Sequence, residues 1–233
     1  MIFRWLFYMS IFLRVVPCLG AQDKVLVCIH GFMRSKSNMS LVESSFQKAG
    51  WKVYVWSYPS RLKTIEEHAQ DLSYLLQGIA SKHPGQPLCF VTHSMGGLVL
   101  RCAMNHALCP DTARTGKAVL IAPPNQGSAY GRFLGQFKPI RKIVGAHAGR
   151  QLTTTPEGGF EELGQFPASM KILVIAGTCG CNPVIKGKND GKVGVEETRL
   201  LTAHELKTVF AGHSWICHTP KTIDIASAFL ECR

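Results

Sequence analysis

Acidic side chains are scarce in this chain. Fifteen Asp and Glu stand against 26 Lys and Arg among 233 residues, a formal charge of +11. That imbalance favours anionic surfaces such as membranes or nucleic acid, but no nucleic-acid module accompanies it, and none is expected as a partner. Internal repeats and low-complexity tracts are absent, which sets aside solenoids and linker-like chains. Charged residues are only 18% against 46% apolar, so a disordered polyelectrolyte is excluded. His and Cys do not cluster: Cys179-Gly180-Cys181 is the one close cysteine pair and has no ligand neighbours, so no zinc site is expected. No organic cofactor is called for either. The chain length suits one domain able to bury a sizeable core.

Long apolar runs are also missing. Trp5–Leu13 lies between Arg4 and Arg14 and is too short for a membrane span, which needs about 20 residues. A basic start, a brief apolar stretch and small residues near Gly20 resemble a secretory signal, interrupted by Arg14. Residues 1–22 are therefore expected to be a signal or membrane-associated segment, with residues 23–233 as one domain. Export or membrane association is the expected location, and the cytoplasm is the alternative. Cys28, Cys89 and Cys102 fall in apolar segments, where cysteine acts as a small hydrophobe. Cys179 or Cys181 could bridge to Cys217 in an oxidising compartment.

What is present is an alternation of strand-like and helix-like segments. Strands are expected near 24–29, 52–57, 87–92, 117–122, 171–177 and 205–211. That pattern means a mostly parallel sheet of about six strands, covered by helices on both faces. Thr64-Ile65-Glu66-Glu67 is a capping box. It opens a helix whose apolar face is Ile65, Ala69, Leu72, Leu76 and Ile79. Thr219-Pro220 starts the last helix, with Pro at a tolerated first position. Residues 125–167 show no strand pattern and read as a small cap-like insertion that forms a binding wall, with Phe133 among its apolar residues.

Chemistry concentrates in Thr92-His93-Ser94-Met95-Gly96-Gly97. A serine between an apolar strand and a helix fits a nucleophile elbow, a sharp turn that projects the hydroxyl into open space. Gly96 lets strand and helix approach. Thr92 stands where a glycine is usual, so the pattern is one glycine short, and a plain turn serine is the alternative. Such a nucleophile needs a base, an acid to orient it, and two N–H donors for the developing oxyanion. Asp190 follows the strand-like segment 172–177. His213 follows the segment 206–211. The order Ser94, Asp190, His213 differs from the orders of chymotrypsin and subtilisin. Glu196 and Glu197 are backup acids, and His204 and His218 are competing bases. His204 falls at the wrong end of its strand, and His218 falls one turn late.

Five segments together resemble the α/β-hydrolase superfamily and its small lipase and esterase branch. They are His30-Gly31-Phe32, Thr92–Gly97, Ala122-Pro123-Pro124-Asn125-Gln126-Gly127-Ser128, Asp190–Val193 and Gly212-His213-Ser214. The resemblance spans roughly residues 24–231. It implies an α/β-hydrolase fold and cleavage of esters or thioesters, with lipids among the candidate substrates. Ser94, Asp190 and His213 would be catalytic, and the amides of Phe32 and Met95 would form the oxyanion hole. His30, His93, Pro124, Asn125 and Phe133 would contact substrate. Transfer to an alcohol, and a non-catalytic lipid-binding protein on the same scaffold, remain open. Basic residues among the apolar ones of the insertion suggest an anionic membrane surface as a further partner.

Overall fold

The computed structural model describes residues 24–232. The expected signal or membrane-associated segment lies outside them. Short apolar, β-branched runs form the six strands β1 (Val25–Ile29), β2 (Lys52–Trp56), β3 (Leu88–His93), β4 (Lys117–Ile121), β5 (Lys171–Gly177) and β6 (Glu205–Val209). They form one sheet in the order β2-β1-β3-β4-β5-β6. Every pairing is parallel, where a mostly parallel sheet was expected. Strands buried on both faces have no solvated side, which is why β1 and β5 read as continuous apolar runs.

Side chains alternate across the sheet and feed two cores. Val25, Val27 and Ile29 of β1 join the core beneath α2 (Ile65–Lys82) and α3 (Met95–Met104). Leu26 and Cys28 join the opposite core, beneath α1 (Ser40–Lys48) and α8 (Pro220–Glu231). The capping box forms as expected: Glu67 N–H donates to Thr64 Oγ1, and Thr64 N–H donates to Glu67 Oε2. All five residues of the expected apolar face of α2 are buried. A short α4 (Asp111–Arg114) precedes β4. Three short helices then join β4 to β5: α5 (Ala129–Gly135), α6 (Lys138–Val144) and α7 (Ala148–Thr154).

The chain leaves β1 toward β2 on one side and returns to β3 on the other. That reversal opens a crevice at the carboxyl ends of β1 and β3, where open parallel sheets bind ligands. Among the described residues, three non-glycine residues have positive φ: Met33 (52°), Ser94 (52°) and Ala122 (49°). They lie just beyond β1, β3 and β4. Backbone strain is thus confined to the carboxyl edge of the sheet, as it is around functional sites.

Candidate active site

Ser94 occupies the turn between β3 and α3 with φ 52° and ψ −125°. Its amide donates to Ile121 O at 2.8 Å, which ties the strained turn to β4. A Cβ on Gly96 would stand 2.7 Å from Ile29 O and 2.8 Å from His30 O, so only glycine lets α3 start against the end of β1. Thr92 is still in register within β3, opposite Ile29 and Leu120. A β-branched residue suits that extended backbone, which is how the elbow does without its usual glycine.

Two loops from distant strands meet at Ser94. His213 Nδ1–H donates to Asp190 Oδ2 at 2.7 Å, and Nε2 lies 3.0 Å from Ser94 Oγ. An ionised carboxylate only accepts, so it fixes the proton on Nδ1 and leaves Nε2 to accept from the serine hydroxyl. Asp190 Oδ1 accepts from the amides of Lys192 (2.9 Å) and Val193 (2.7 Å). The His213 amide donates to Asp190 O at 2.9 Å. The carboxylate is therefore aimed as well as charged.

Among the described residues, the amides of Phe32 and Met95 donate to no protein acceptor. Met95 is the first residue of α3, whose first-turn amides have no intrahelical partner. The Phe32 turn passes directly over the serine: a Cβ on Gly31 would lie 3.0 Å from Ser94 Cβ. Both amides are free to receive an anion.

The two histidines next to these turns have different roles. His93 is buried, and its Nε2–H donates to His213 O at 3.0 Å. Burial first, then the His213 charge, holds its pKa well below the usual imidazole range. A neutral His93 thus anchors the backbone of His213. His30 is fully buried and stacks on Tyr58, with ring centroids 4.4 Å apart. Its Nδ1–H donates to Gly31 O, and its Nε2 accepts from the Tyr58 amide. It braces the end of β1.

Beside Ser94 lies a cavity of about 270 Å³ with apolar walls that include Phe32, Pro124, Leu134, Val144, Leu152 and Val193. Of the residues expected to contact substrate, His93 and Pro124 line it. His30, Asn125 and Phe133 are not among its lining residues. His30 is spent on Tyr58. Asn125 is buried, with its Nδ2–H donating to Thr198 O at 2.8 Å. Phe133 faces outward against Phe137, because the one-turn register of α5 turns Leu134 inward instead. Sequence reasoning missed Arg34 and Lys192, which also line the cavity. Each stands two residues after a site residue, Phe32 and Asp190, and that spacing was the available signal.

The competing residues are engaged elsewhere. Glu197 accepts from the amides of Ala129 (2.6 Å) and Gly194 (2.7 Å). Glu196 pairs with Arg199. His204 Nδ1–H donates to Thr202 O, and His218 packs on Trp215. Cys179, Cys181 and Cys217 are free thiols: Cys217 is buried and the other two are exposed, so the expected bridge is not formed. Among the described residues, no group of three or more His, Cys, Asp or Glu could hold a metal ion.

An all-parallel six-stranded sheet with Ser94 on the turn after β3, and Asp190 and His213 on loops after β5 and β6, is the architecture of an α/β-hydrolase. The chain belongs to the family described as serine aminopeptidase, S33, whose model matches residues 20–158. Among solved structures, it is similar to the mature form of the lipase BlEst2 from Bacillus licheniformis. The TM-score is 0.72 at 19% identity, covering 90% of this chain and 92% of that one. Phospholipase PlaB from Legionella pneumophila aligns with a TM-score of 0.61 at 15% identity, covering 90% of this chain and 59% of that one. The metagenomic carboxyl esterase MGS0156 aligns with a TM-score of 0.57 at 16% identity, over 84% and 66%. No curated protein sequence matches.

Proposed function

We propose that the protein is a serine hydrolase that cleaves carboxylic esters through an acyl-enzyme. The observation that carries this reading is the unbroken chain from Ser94 Oγ to His213 (3.0 Å) to Asp190 (2.7 Å) at the rim of an apolar cavity. His213 Nε2 takes the Ser94 proton as Oγ bonds to the ester carbon. The carbonyl π pair moves onto oxygen, which the amides of Phe32 and Met95 receive. Collapse breaks the bond to the leaving alcohol, whose oxygen takes the proton from His213. Water then adds by the same route, its proton passing through His213, and Ser94 leaves with the carboxylic acid as product. Asp190 holds the imidazole tautomer and stabilises its charged form throughout.

An aminopeptidase must recognise a free ammonium group, and a carboxylate is the group that does so. None of the residues lining this cavity is Asp or Glu, while Arg34 and Lys192 would repel an ammonium. That favours esters over peptide N-termini. Covalent labelling by a fluorophosphonate that is lost in Ser94→Ala, with turnover of p-nitrophenyl esters of graded chain length, tests the reading. Absence of labelling in the wild type would leave a non-catalytic lipid-binding protein. Product analysis with an added alcohol separates hydrolysis from transfer, and an acyl-thioester substrate separates esterase from thioesterase.

A second observation favours lipid-like substrates and an anionic membrane surface as partner. Phe133, Phe137 and Ile143 are exposed on α5 and α6 beside Lys138, Arg141 and Lys142. Exposed apolar side chains next to cations suit the boundary of an anionic bilayer.

A further inference from the structure

The lining of the cavity beside Ser94 carries two cations, Arg34 and Lys192, and no acidic residue. Arg34 arrives from the turn after β1, and Lys192 from the loop that holds Asp190. Among the described residues, neither has a carboxylate partner in an ion pair. Arg34 Nη2–H donates to Ser214 Oγ at 2.6 Å, its single side-chain hydrogen bond. A guanidinium has five N–H donors, so most of the fork is open. Lost hydration lowers the pKa of Lys192, the Arg34 charge lowers it further, and Asp190 offsets part of this. Both Asp190 oxygens are already engaged, by His213 and two amides. Both residues are exposed, so solvent screens their mutual repulsion, and Asp190 supplies part of a counter-charge. An anion seated between them relieves that repulsion.

The position of the pair says which part of a substrate would carry the charge. A second cavity of about 390 Å³ shares Met33 and Arg34 with the first. Its other walls are mostly polar, with Ser35, Ser37, Ser214 and His218 among them and Trp215 the apolar exception. The first cavity is apolar and suits an acyl chain. The leaving alcohol must reach His213 Nε2 to be protonated, so it departs on the His213 side. Ser214, which anchors Arg34, is the next residue along the chain.

We infer that the substrate is an ester whose leaving alcohol carries a phosphate or carboxylate, held by Arg34, which both cavities share, and by Lys192 of the first cavity. The inference rests on the ester-hydrolase reading above and specifies its substrate class. Arg34 and Lys192 are then specificity-determining residues, and their side chains make no hydrogen bond to the relay residues, Lys192 touching Asp190 only through its backbone amide.

Three water-soluble hexanoyl esters test it: hexanoylglycerol, its 3-phosphate, and hexanoyl glycerate. All are used as monomers in solution, so partition into a membrane does not enter. Wild-type kcat/KM should favour an anionic ester over hexanoylglycerol by about tenfold or more, the scale of one charge-assisted hydrogen bond. The preference should reside in KM and shrink with added salt. In R34Q/K192Q the anionic-to-neutral ratio should fall to about one, and R34K/K192R should restore part of it. The phosphate and glycerate arms distinguish the two anions. Titration with glycerol 3-phosphate, followed by calorimetry, reads the anion site without any turnover: saturable binding should occur in the wild type and vanish in R34Q/K192Q. Ser94-dependent cleavage of hexanoylglycerol with no anionic preference would overturn the inference and spare the hydrolase reading. Glycerol 3-phosphate binding with no ester cleaved would overturn the hydrolase reading and spare the anion site. Equal ratios and equal binding in wild type and R34Q/K192Q would overturn the assignment to these two residues.

Discussion

The elbow and the helical wall opposite it are built to different tolerances. Ser94 is tied to β4, α3 starts against backbone carbonyls of β1, and seven of the ten residues of α3 from Met95 to Arg101 are buried without a break. Across the cavity, α5 and α6 have no buried residue. Phe133, Phe137 and Ile143 stand in solvent there. The difference separates two tasks. In the proposed hydrolase, proton transfer needs atoms held at hydrogen-bond distance, which a fully packed sheet supplies. A wall that meets an acyl chain or a surface needs apolar and cationic side chains available, so they are left uncovered.

The largest break in that contrast comes from the rigid side. Ser94→Ala should lower ester kcat/KM by about 10³–10⁶-fold, and Asp190→Asn by about 10⁴-fold through the wrong imidazole tautomer. Thermal unfolding of both variants should show the fold retained. Wild-type turnover in Ser94→Ala would refute the elbow assignment.

On the open side, replacing Lys138, Arg141 and Lys142 with Ser should weaken binding to anionic vesicles by about 100-fold, from about 1 kcal/mol per basic residue near the surface. Vesicle sedimentation reads this directly. Equal binding of variant and wild type would make these cations an ordinary solvated face.

Stability sharpens the comparison further. Gly96→Ala drives a methyl into Ile29 O and His30 O, and should cost about 1–3 kcal/mol by overpacking. Phe133→Ser, on a side chain 38% exposed, should change stability by about 0.5 kcal/mol or less. Denaturant midpoints compare the two. A larger loss for Phe133→Ser would mean that the wall, not the elbow, is the tighter structure.

Acid should act on the packed side alone. Burial lowers the pKa values of His30, His68 and His93 from 6.5 in the folded chain. Below 6.5 the unfolded chain binds protons that these rings do not, so stability present above that pH is lost as pH falls through and below it. The melting temperature should drop from pH 7 to pH 5, with a shallower slope in His93→Asn. A flat profile over that range would show that the buried rings bind protons as readily in the folded chain as in the unfolded one.

The smallest effect concerns Thr92. Its Oγ1 is buried with no hydrogen-bond partner. Thr92→Val keeps the shape, removes that hydroxyl and should stabilise by about 1 kcal/mol. A destabilised Thr92→Val would show that the hydroxyl has a partner after all.

Local pattern made much of this legible. The β-branched runs 25–29, 117–121 and 171–177 could hardly be anything but buried strands, and Ile65, Ala69, Leu72, Leu76 and Ile79 keep helical spacing. Strand ends were readable to within a residue or two for the same reason, since polar or small residues mark where burial stops. The positions of Ser94, Asp190 and His213 were legible because each follows a strand, and parallel strands bring their carboxyl ends to one edge. Contacts within loops were not legible. His30 and His93 look alike in sequence, both at strand ends beside a site residue. His30 is held by Tyr58, from the loop after β2, and His93 by the carbonyl of His213, far along the chain.

The sequence by itself determined the strand and helix periods, the order of the three relay residues and the excess of positive charge. These depend on residue type and spacing over a few positions, which local sterics and burial read directly. Tertiary structure alone decided that Leu134 rather than Phe133 lines the cavity, that Glu197 serves backbone amides rather than His213, and that Arg34 and Lys192 both line that cavity. Those outcomes depend on how loops from different strands cross at one edge of the sheet, and no local pattern encodes a meeting between residues separated by most of the chain.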